Sequence, residues 1–290
     1  MFQNIKAGWA LGKQVRKLVF SDRRLLLYPV LMAVVVFAEM LLIFGSLVFG
    51  PFVGLRSLGA ISYMAALFIF YLVSTFTSTY VLVALLIGFR AYASGKPISI
   101  GESFSAASQY SKYILEWALF YSIVLMIIRA LEQRLGNVGR LVLGLAAGIA
   151  LSVAAAFVVP VIIDNKLGPI SAMKESASFF LKNFGRTLGG LVYSDLYNLM
   201  FIASGMILIV LSAAIILPIY SIVAIPLIII GFAIMVFGVI MNYLTSNVFK
   251  LILYDYVRQG TLPSGIDRSL VEKSLAGKKN NNPGNSRATD

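Results

Sequence analysis

The sequence predicts an all-α polytopic membrane protein with six transmembrane helices and three amphipathic helices on the cytoplasmic face. Three observations predict it. Of 290 residues, 59% are hydrophobic and only 12% are charged, whereas soluble domains carry about a quarter charged residues. The apolar residues are gathered into runs, and the 54 residues between Asp195 and Lys250 contain no Asp, Glu, Lys or Arg. That stretch holds two spans of roughly 20 residues with a turn between them. The segments between the runs carry the charges, and three of them show helical amphipathic spacing.

The first amphipathic segment covers residues 1 to 24, with six Lys/Arg and one acid, Asp22. Leu11, Val15 and Leu18 fall on one side of a helix, Lys6, Lys13 and Lys17 on another, as in a helix lying on an anionic leaflet. It is not a secretory signal peptide, because the apolar stretch that follows is too long for one and ends without a small-residue cleavage pattern. Span 1 runs from Leu25 to Phe49, with Tyr28-Pro29 near its start, Glu39 inside it and Gly50-Pro51 closing it. Span 2 runs from Leu58 to Phe89, its middle rich in hydroxyls from Ser74 to Thr79.

Ser99 and Glu102 have the spacing of a capping box. They open a second amphipathic segment in which Ile100, Phe104 and Ala107 share a face. Span 3 covers Tyr113 to Leu131, with Glu116 near its start and Arg129 near its end; span 4 covers Leu141 to Ile163. The third amphipathic helix starts at Pro169, a residue suited to a first helical turn. Ile170, Met173, Ala177 and Leu181 line one face and Lys174, Ser178 and Lys182 another. Span 5 runs from Leu188 to Leu217, Pro218 to Pro226 make the turn, and span 6 reaches Leu253. Residues 1–259 therefore form one transmembrane domain, and 260–290 a polar, largely disordered tail.

With six spans, 20 of the 24 Lys/Arg fall on one side of the membrane; only Arg56, Arg129, Arg134 and Arg140 fall on the other. The positive-inside rule then puts both termini in the cytoplasm of a multi-pass cell-membrane protein. Each cytoplasmic segment leads into a two-span hairpin. A threefold internal repeat is one reading of that pattern, and chance recurrence of amphipathic helices before spans is the other.

The net charge is +12 and the chain has neither histidine nor cysteine. Without them there is no haem with the usual ligands, no thiolate zinc site, no Cys nucleophile and no His-based triad. No Walker motif, dinucleotide fingerprint or EF-hand loop is present. No metal and no cofactor are expected. Because the basic residues flank apolar runs, the charge points to anionic lipid head groups and not to nucleic acid.

Four stretches, GWALGKQVRKLVFSDRRLLLYPVL, IIRALEQRLGNVGRLVLGL, FVVPVIIDNKLGPISAMKESASFFLKNFG and LILYDYVRQGTLPSGID, span residues 8 to 267. Through them the chain resembles an uncharacterised family of bacterial and archaeal multi-spanning membrane proteins. The third stretch is also similar to the membrane domain found beside some glycerophosphodiester phosphodiesterases, whose catalytic domain is absent here. The family resemblance implies a fold and a membrane location and no activity. One departure is Asp164-Asn165-Lys166, where relatives carry an acid followed by Gly.

Ionisable groups inside spans cost roughly 2.5 to 3.5 kcal/mol at the bilayer centre, so each is a candidate. Glu39 and Arg129 lie at similar depth and are expected to pair, with Glu132 one turn further on. The pair is either a structural lock or a gate. Glu116 and Asp195 lie near cytoplasmic ends, either as interfacial charges or as a polar vestibule. Ser74 to Thr79 line a pore or let spans pack closely, Gly144 and Gly148 form a GxxxG pair, and Trp9 and Trp117 fit interfacial anchoring. Lys6, Lys13, Lys17, Lys174 and Lys182 are the lipid-facing basic residues. The leading expectation is a non-enzymatic accessory or membrane-organising protein contacting anionic lipid. The alternatives are a small transporter or channel with Glu39, Glu116, Arg129 and Asp195 on an aqueous path, and a membrane-embedded lipid enzyme using carboxylates.

Overall fold

The computed structural model describes the backbone of residues 2–49, 60–184, 188–216 and 218–275, with side chains throughout except at 2–6, 36, 40–49, 60–63, 184, 188–198 and 274. Among the described residues all regular structure is helical. Five stretches are long and apolar enough to cross a membrane: Met64–Ala93, Ser111–Gln133, Asn137–Asn165, Leu199–Ile216 and Ser221–Gln259. The region expected to form span 1 is also a helix, Leu27–Phe49, of 23 residues.

In chain order the helices are α1 (Phe2–Ser21), α2 (Leu27–Phe49), α3 (Ala60–Ala93), α4 (Ile100–Ser108), α5 (Ser111–Gln133), α6 (Asn137–Ala155), α7 (Val158–Asn165), α8 (Pro169–Phe184), α9 (Leu188–Leu211), α10 (Ser221–Gln259) and α11 (Arg268–Leu275). A 3-10 turn, Arg23–Leu26, links α1 to α2, and Asp22 caps it by accepting a 2.9 Å hydrogen bond from the Arg24 N–H. The largest buried side chains gather where α1, α3, α7 and the last third of α10 meet. The outer lengths of α5, α6, α9 and α10 instead present exposed Leu, Ile and Val, as surfaces bathed in lipid do.

Helix α1 buries Leu11, Val15 and Val19 against α9, α10 and α11. Its other side exposes Trp9, Lys13, Lys17 and Phe20, with the Arg16 guanidinium 5.6 Å from the Trp9 ring centre. Tyr28 is buried, stacks on Phe104 at 6.0 Å, and meets the Ser103 hydroxyl on α4. Room for it comes from Gly88, where a Cβ would lie 2.6 Å from the tyrosine oxygen. The expected capping box is formed: the Ser99 hydroxyl accepts from Glu102 N–H and the Glu102 carboxylate accepts from Ser99 N–H. These bonds hold the exposed Glu102 carboxyl below its usual range.

Span 4 is not one helix. It breaks at Ala156–Phe157 into α6 and α7. The cause is Pro160, whose ring would collide with the carbonyl four residues back and which has no N–H for that bond. In the first turn of a new helix neither defect matters. The break leaves the Phe157 N–H outside the helix ladder, and the buried Ser176 hydroxyl on α8 accepts it at 2.9 Å. Around the break, Phe157 packs edge-on against Phe179 at 4.8 Å and stacks on Tyr254 at 6.2 Å. Ser176→Ala is expected to lower stability by about 1–3 kcal/mol, the cost of an unsatisfied buried donor. Thermal unfolding in detergent checks this, and an unchanged midpoint would mean that the N–H has another acceptor.

Four expectations are corrected. The buried face of α8 is Ala172, Ser176, Phe179 and Phe180, while Ile170 and Leu181 are exposed: neighbours lie on both sides of the break, so the apolar face turns towards them. Trp117 is only 5% exposed and sits 5.3 Å from the Tyr121 ring, so it packs inside the bundle, and Trp9 alone of the two lies at the surface. Pro226 lies inside α10, and the turn is the shorter segment before Ser221. The expected disordered tail begins with structure: Ile266 and Val271 are buried, and α11 packs on α1. There the Gln14 side chain accepts from Asp267 N–H at 3.0 Å.

Candidate functional site

The charges that the sequence places inside apolar runs do not meet one another. Glu39 does not pair with Arg129; its Oε2 accepts from the Ser74 hydroxyl at 2.6 Å, and its buried Oε1 has no hydrogen-bond partner. Arg129 instead pairs with Glu132 at 3.1 Å, the partner expected one turn on. Helix spacing explains the result, since i,i+3 residues are always neighbours, whereas meeting Glu39 would require α2 and α5 to touch. Gly144 accommodates Glu132, whose Oε1 lies 2.9 Å from where a Cβ would be, and Gly148 faces open space. The GxxxG pair is therefore not a helix-packing seam within this chain.

Among the span 2 hydroxyls, Thr77 donates to the Val73 carbonyl and Ser78 to that of Thr75, so both are turned back onto their own helix. Glu116 is half-buried and faces the loop before α8, with its Oε2 3.9 Å from the Cβ position of Gly168. A carboxylate there complements the positive end of α8. Lys13, Lys17, Lys174 and Lys182 are exposed. The side chains of Lys6 and Asp195 lie outside the described residues.

The densest polar constellation joins residues that sequence reasoning did not single out. Arg90 in the last turn of α3 lies between Asp164, at the end of α7, and Asp255, near the end of α10. Its Nη1 and Nη2 donate to the two Asp164 oxygens at 2.5 and 3.1 Å. Nη2 and Nε donate to the two Asp255 oxygens at 2.5 and 3.1 Å. Both contacts are bidentate, the geometry that the planar guanidinium favours. The three side chains are 25%, 21% and 16% exposed, so water screens them weakly. Formally, two carboxylates and one guanidinium leave one negative charge.

A second polar layer lies beside this clasp. Arg258 and Asn165 both donate to Glu175 on α8, Asn165 at 2.9 Å, and the Arg258 guanidinium stands 5.7 Å from the Tyr254 ring centre. On the other side is an open cleft of about 360 Å³ lined by Ser94, Gln259, Thr261 and Pro263 with Arg90 and Asp255. The constellation ties α3, α7, α8 and α10 at one end of the bundle. Both carboxylates of the clasp are engaged by the guanidinium, so neither is poised as a nucleophile or base. Among the described residues, no three acidic side chains converge as a metal site would need.

A recurring sequence pattern follows the helices of the clasp, although it does not name the clasp residues. Each of these three helices is followed by a similar short motif: GKPIS at Gly95–Ser99, GPIS at Gly168–Ser171, of which Pro169 already opens α8, and GTLPS at Gly260–Ser264. Each motif leads to an amphipathic helix, α4, α8 or α11. Gly95 and Gly260 adopt left-handed backbone at φ 74° and 68°. After α7 that conformation falls to Lys166, at φ 49°. A non-glycine there costs roughly 1–2 kcal/mol.

The model of a family of unknown function (DUF6159) matches residues 61–264. This interval contains the whole clasp and the helices that carry it. No curated protein and no solved structure matches the chain, so the likeness to the membrane domain beside glycerophosphodiester phosphodiesterases gains no support.

Proposed function

The chain belongs to this family of unknown function, and from that premise we propose that it is a non-enzymatic membrane protein organising anionic lipid at the inner leaflet. In this reading α2 is a sixth span, both termini are cytoplasmic, and α1 and α8 lie at the cytoplasmic face of the cell membrane. The three similar motifs and the clasp residues at three helix ends support a threefold repeat of amphipathic helix plus hairpin. The observation that carries the reading is the clasp itself. A path for solute would need the helix ends to part, yet α3, α7 and α10 are drawn together over an aromatic core. Glu39 bonds to Ser74 on α3 and Arg129 to Glu132 within α5, and this separation disfavours one aqueous route. The exposed Lys13, Lys17, Lys174 and Lys182 provide the lipid contact, each Lys near an anionic surface contributing about 1 kcal/mol.

The test is lipid selectivity. Spin-labelled phosphatidylglycerol and phosphatidylcholine are compared at the protein surface in reconstituted vesicles. The wild type is expected to prefer the anionic lipid severalfold. The variant carrying Lys13→Gln, Lys17→Gln, Lys174→Gln and Lys182→Gln should lose most of that preference. Equal association of both lipids with the wild type would refute the reading.

A further inference from the structure

A groove of about 410 Å³ lies on the outer side of the bundle between α3 and α5. Leu72, Val73 and Phe76 form one wall and Leu115 the other, with Ser111 and Lys112 at the start of α5. Both helices belong to stretches apolar enough to cross a membrane, and Val73 and Leu115 are exposed, so the groove faces acyl chains. Its surface is wholly apolar. Lys112 therefore lines it with its methylene stem and carries its ammonium beyond it, as a snorkelling lysine does.

The groove has a defined end. Just beyond Phe76, α4 packs on α3: Phe76 stacks on Tyr80 at 5.9 Å, Tyr80 lies 5.9 Å from Phe104, and the Tyr80 hydroxyl donates to the Phe104 carbonyl at 3.0 Å. At this end α5 begins, with Tyr110 and Tyr113 on either side of Ser111 and Lys112. Tyrosines beside an outward-reaching lysine mark the boundary between acyl chains and head groups. Lys112 is exposed and forms no ion pair among the described residues. Glu116, one turn further on, faces Gly168 instead.

We propose that this groove holds one acyl chain of an anionic phospholipid whose phosphate meets the Lys112 ammonium. An apolar channel that ends at one cation complements an amphiphile with a hydrocarbon chain and an anionic head. A zwitterionic lipid fills the groove equally well but brings its own cation beside Lys112, a like charge. A soluble anion gains nothing from the apolar walls. The inference rests on the anionic-lipid reading above but moves the contact from the lysines of α1 and α8 to a single seat between two spans.

Native mass spectrometry of the protein released from nanodiscs of equal phosphatidylglycerol and phosphatidylcholine tests it. The wild type is expected to retain one phosphatidylglycerol. Lys112→Met keeps the stem but removes the charge, and should reduce retention about tenfold, as loss of one charge-assisted hydrogen bond does. Lys112→Arg should retain as much as the wild type. Val73→Trp fills the groove from an exposed position and should abolish retention with Lys112 intact. The four-lysine variant should retain its lipid. Retention unchanged in Lys112→Met or in Val73→Trp, or equal retention of phosphatidylcholine by the wild type, would overturn the seat. Loss of retention only in the four-lysine variant would overturn the seat and leave the surface reading standing. Retention that depends on Lys112, in a protein without preference for spin-labelled phosphatidylglycerol at its surface, would do the reverse.

Discussion

Arg90→Met is expected to destabilise the fold by about 3–5 kcal/mol, the cost of removing one partner from a mostly buried ionic cluster. The Asp164 and Asp255 side chains would then face each other, each less than a quarter exposed, without the cation that offsets their repulsion. The damage should be local at first: the ends of α3, α7 and α10 would separate and the Phe157–Tyr254 stack would loosen. Arg90→Lys should recover only part of the loss, because an ammonium is a point charge and cannot present two forks at once. Adding Asp164→Asn and Asp255→Asn to Arg90→Met should restore most of the stability, since the neutral triple variant buries no charge. Thermal unfolding in detergent reads all of these variants. A tolerated Arg90→Met, or a triple variant no better than the single one, would mean that the three helix ends are held by the aromatic core alone.

Gly205→Val, in α9, should have an effect of similar size by a different route. A Cβ at Gly205 would lie 2.5 Å from the Gly231 carbonyl oxygen and 2.6 Å from the Met235 nitrogen, both backbone atoms. Gly231 and Gly238 continue the seam, with backbone of the facing helix within 2.9 Å of each Cβ position. Backbone cannot step aside as a flexible side chain can, so α9 and α10 must move apart, and overpacking of this kind reaches the upper end of about 1–3 kcal/mol. In a membrane the loss is not compensated by a hydrophobic drive, because close van der Waals packing is itself what holds such helices together. Gly148→Val, at a position facing open space, is the control. Unfolding by SDS titration should separate the two variants clearly; equal stability would mean that the hairpin does not depend on its glycine seam.

How much of this was legible in the sequence depends on the range over which each feature is encoded. The helices, their approximate ends and the Ser99–Glu102 box are local and could be read from spacing. So could the partnership of Arg129 with Glu132. The clasp could not, because Arg90 lies 74 residues from Asp164 and 165 from Asp255. Read alone, each is an ordinary charge flanking a span. Glu39 was legible as an acid inside an apolar run, but not its partner Ser74, since a carboxyl can bond to a hydroxyl as well as to a cation. Ser176 falls on neither face that the spacing of α8 defines. Only the break before Pro160 gives it a buried task. That break was implied by the proline, and reading span 4 as one apolar run hid it. The glycine seam was missed for the opposite reason: GxxxG in α6 matched a known spacing, whereas the facing glycines of α9 and α10 follow no single-helix motif.

The contact between α1 and α11 sets an order of events during synthesis. Gln14 meets the backbone of Asp267, 253 residues later. Ribosomes add about 5–20 residues per second, so on the order of 10 to 50 s pass between emergence of the first helix and arrival of its last partner. Until α9, α10 and α11 follow in turn, Leu11, Val15 and Val19 lack the partners that cover them in the fold. A helix with apolar side chains on one face and lysines on the other can wait on the membrane surface without aggregating. The amphipathic character of α1 thus serves the nascent chain as well as the finished fold, and α11 closes over it.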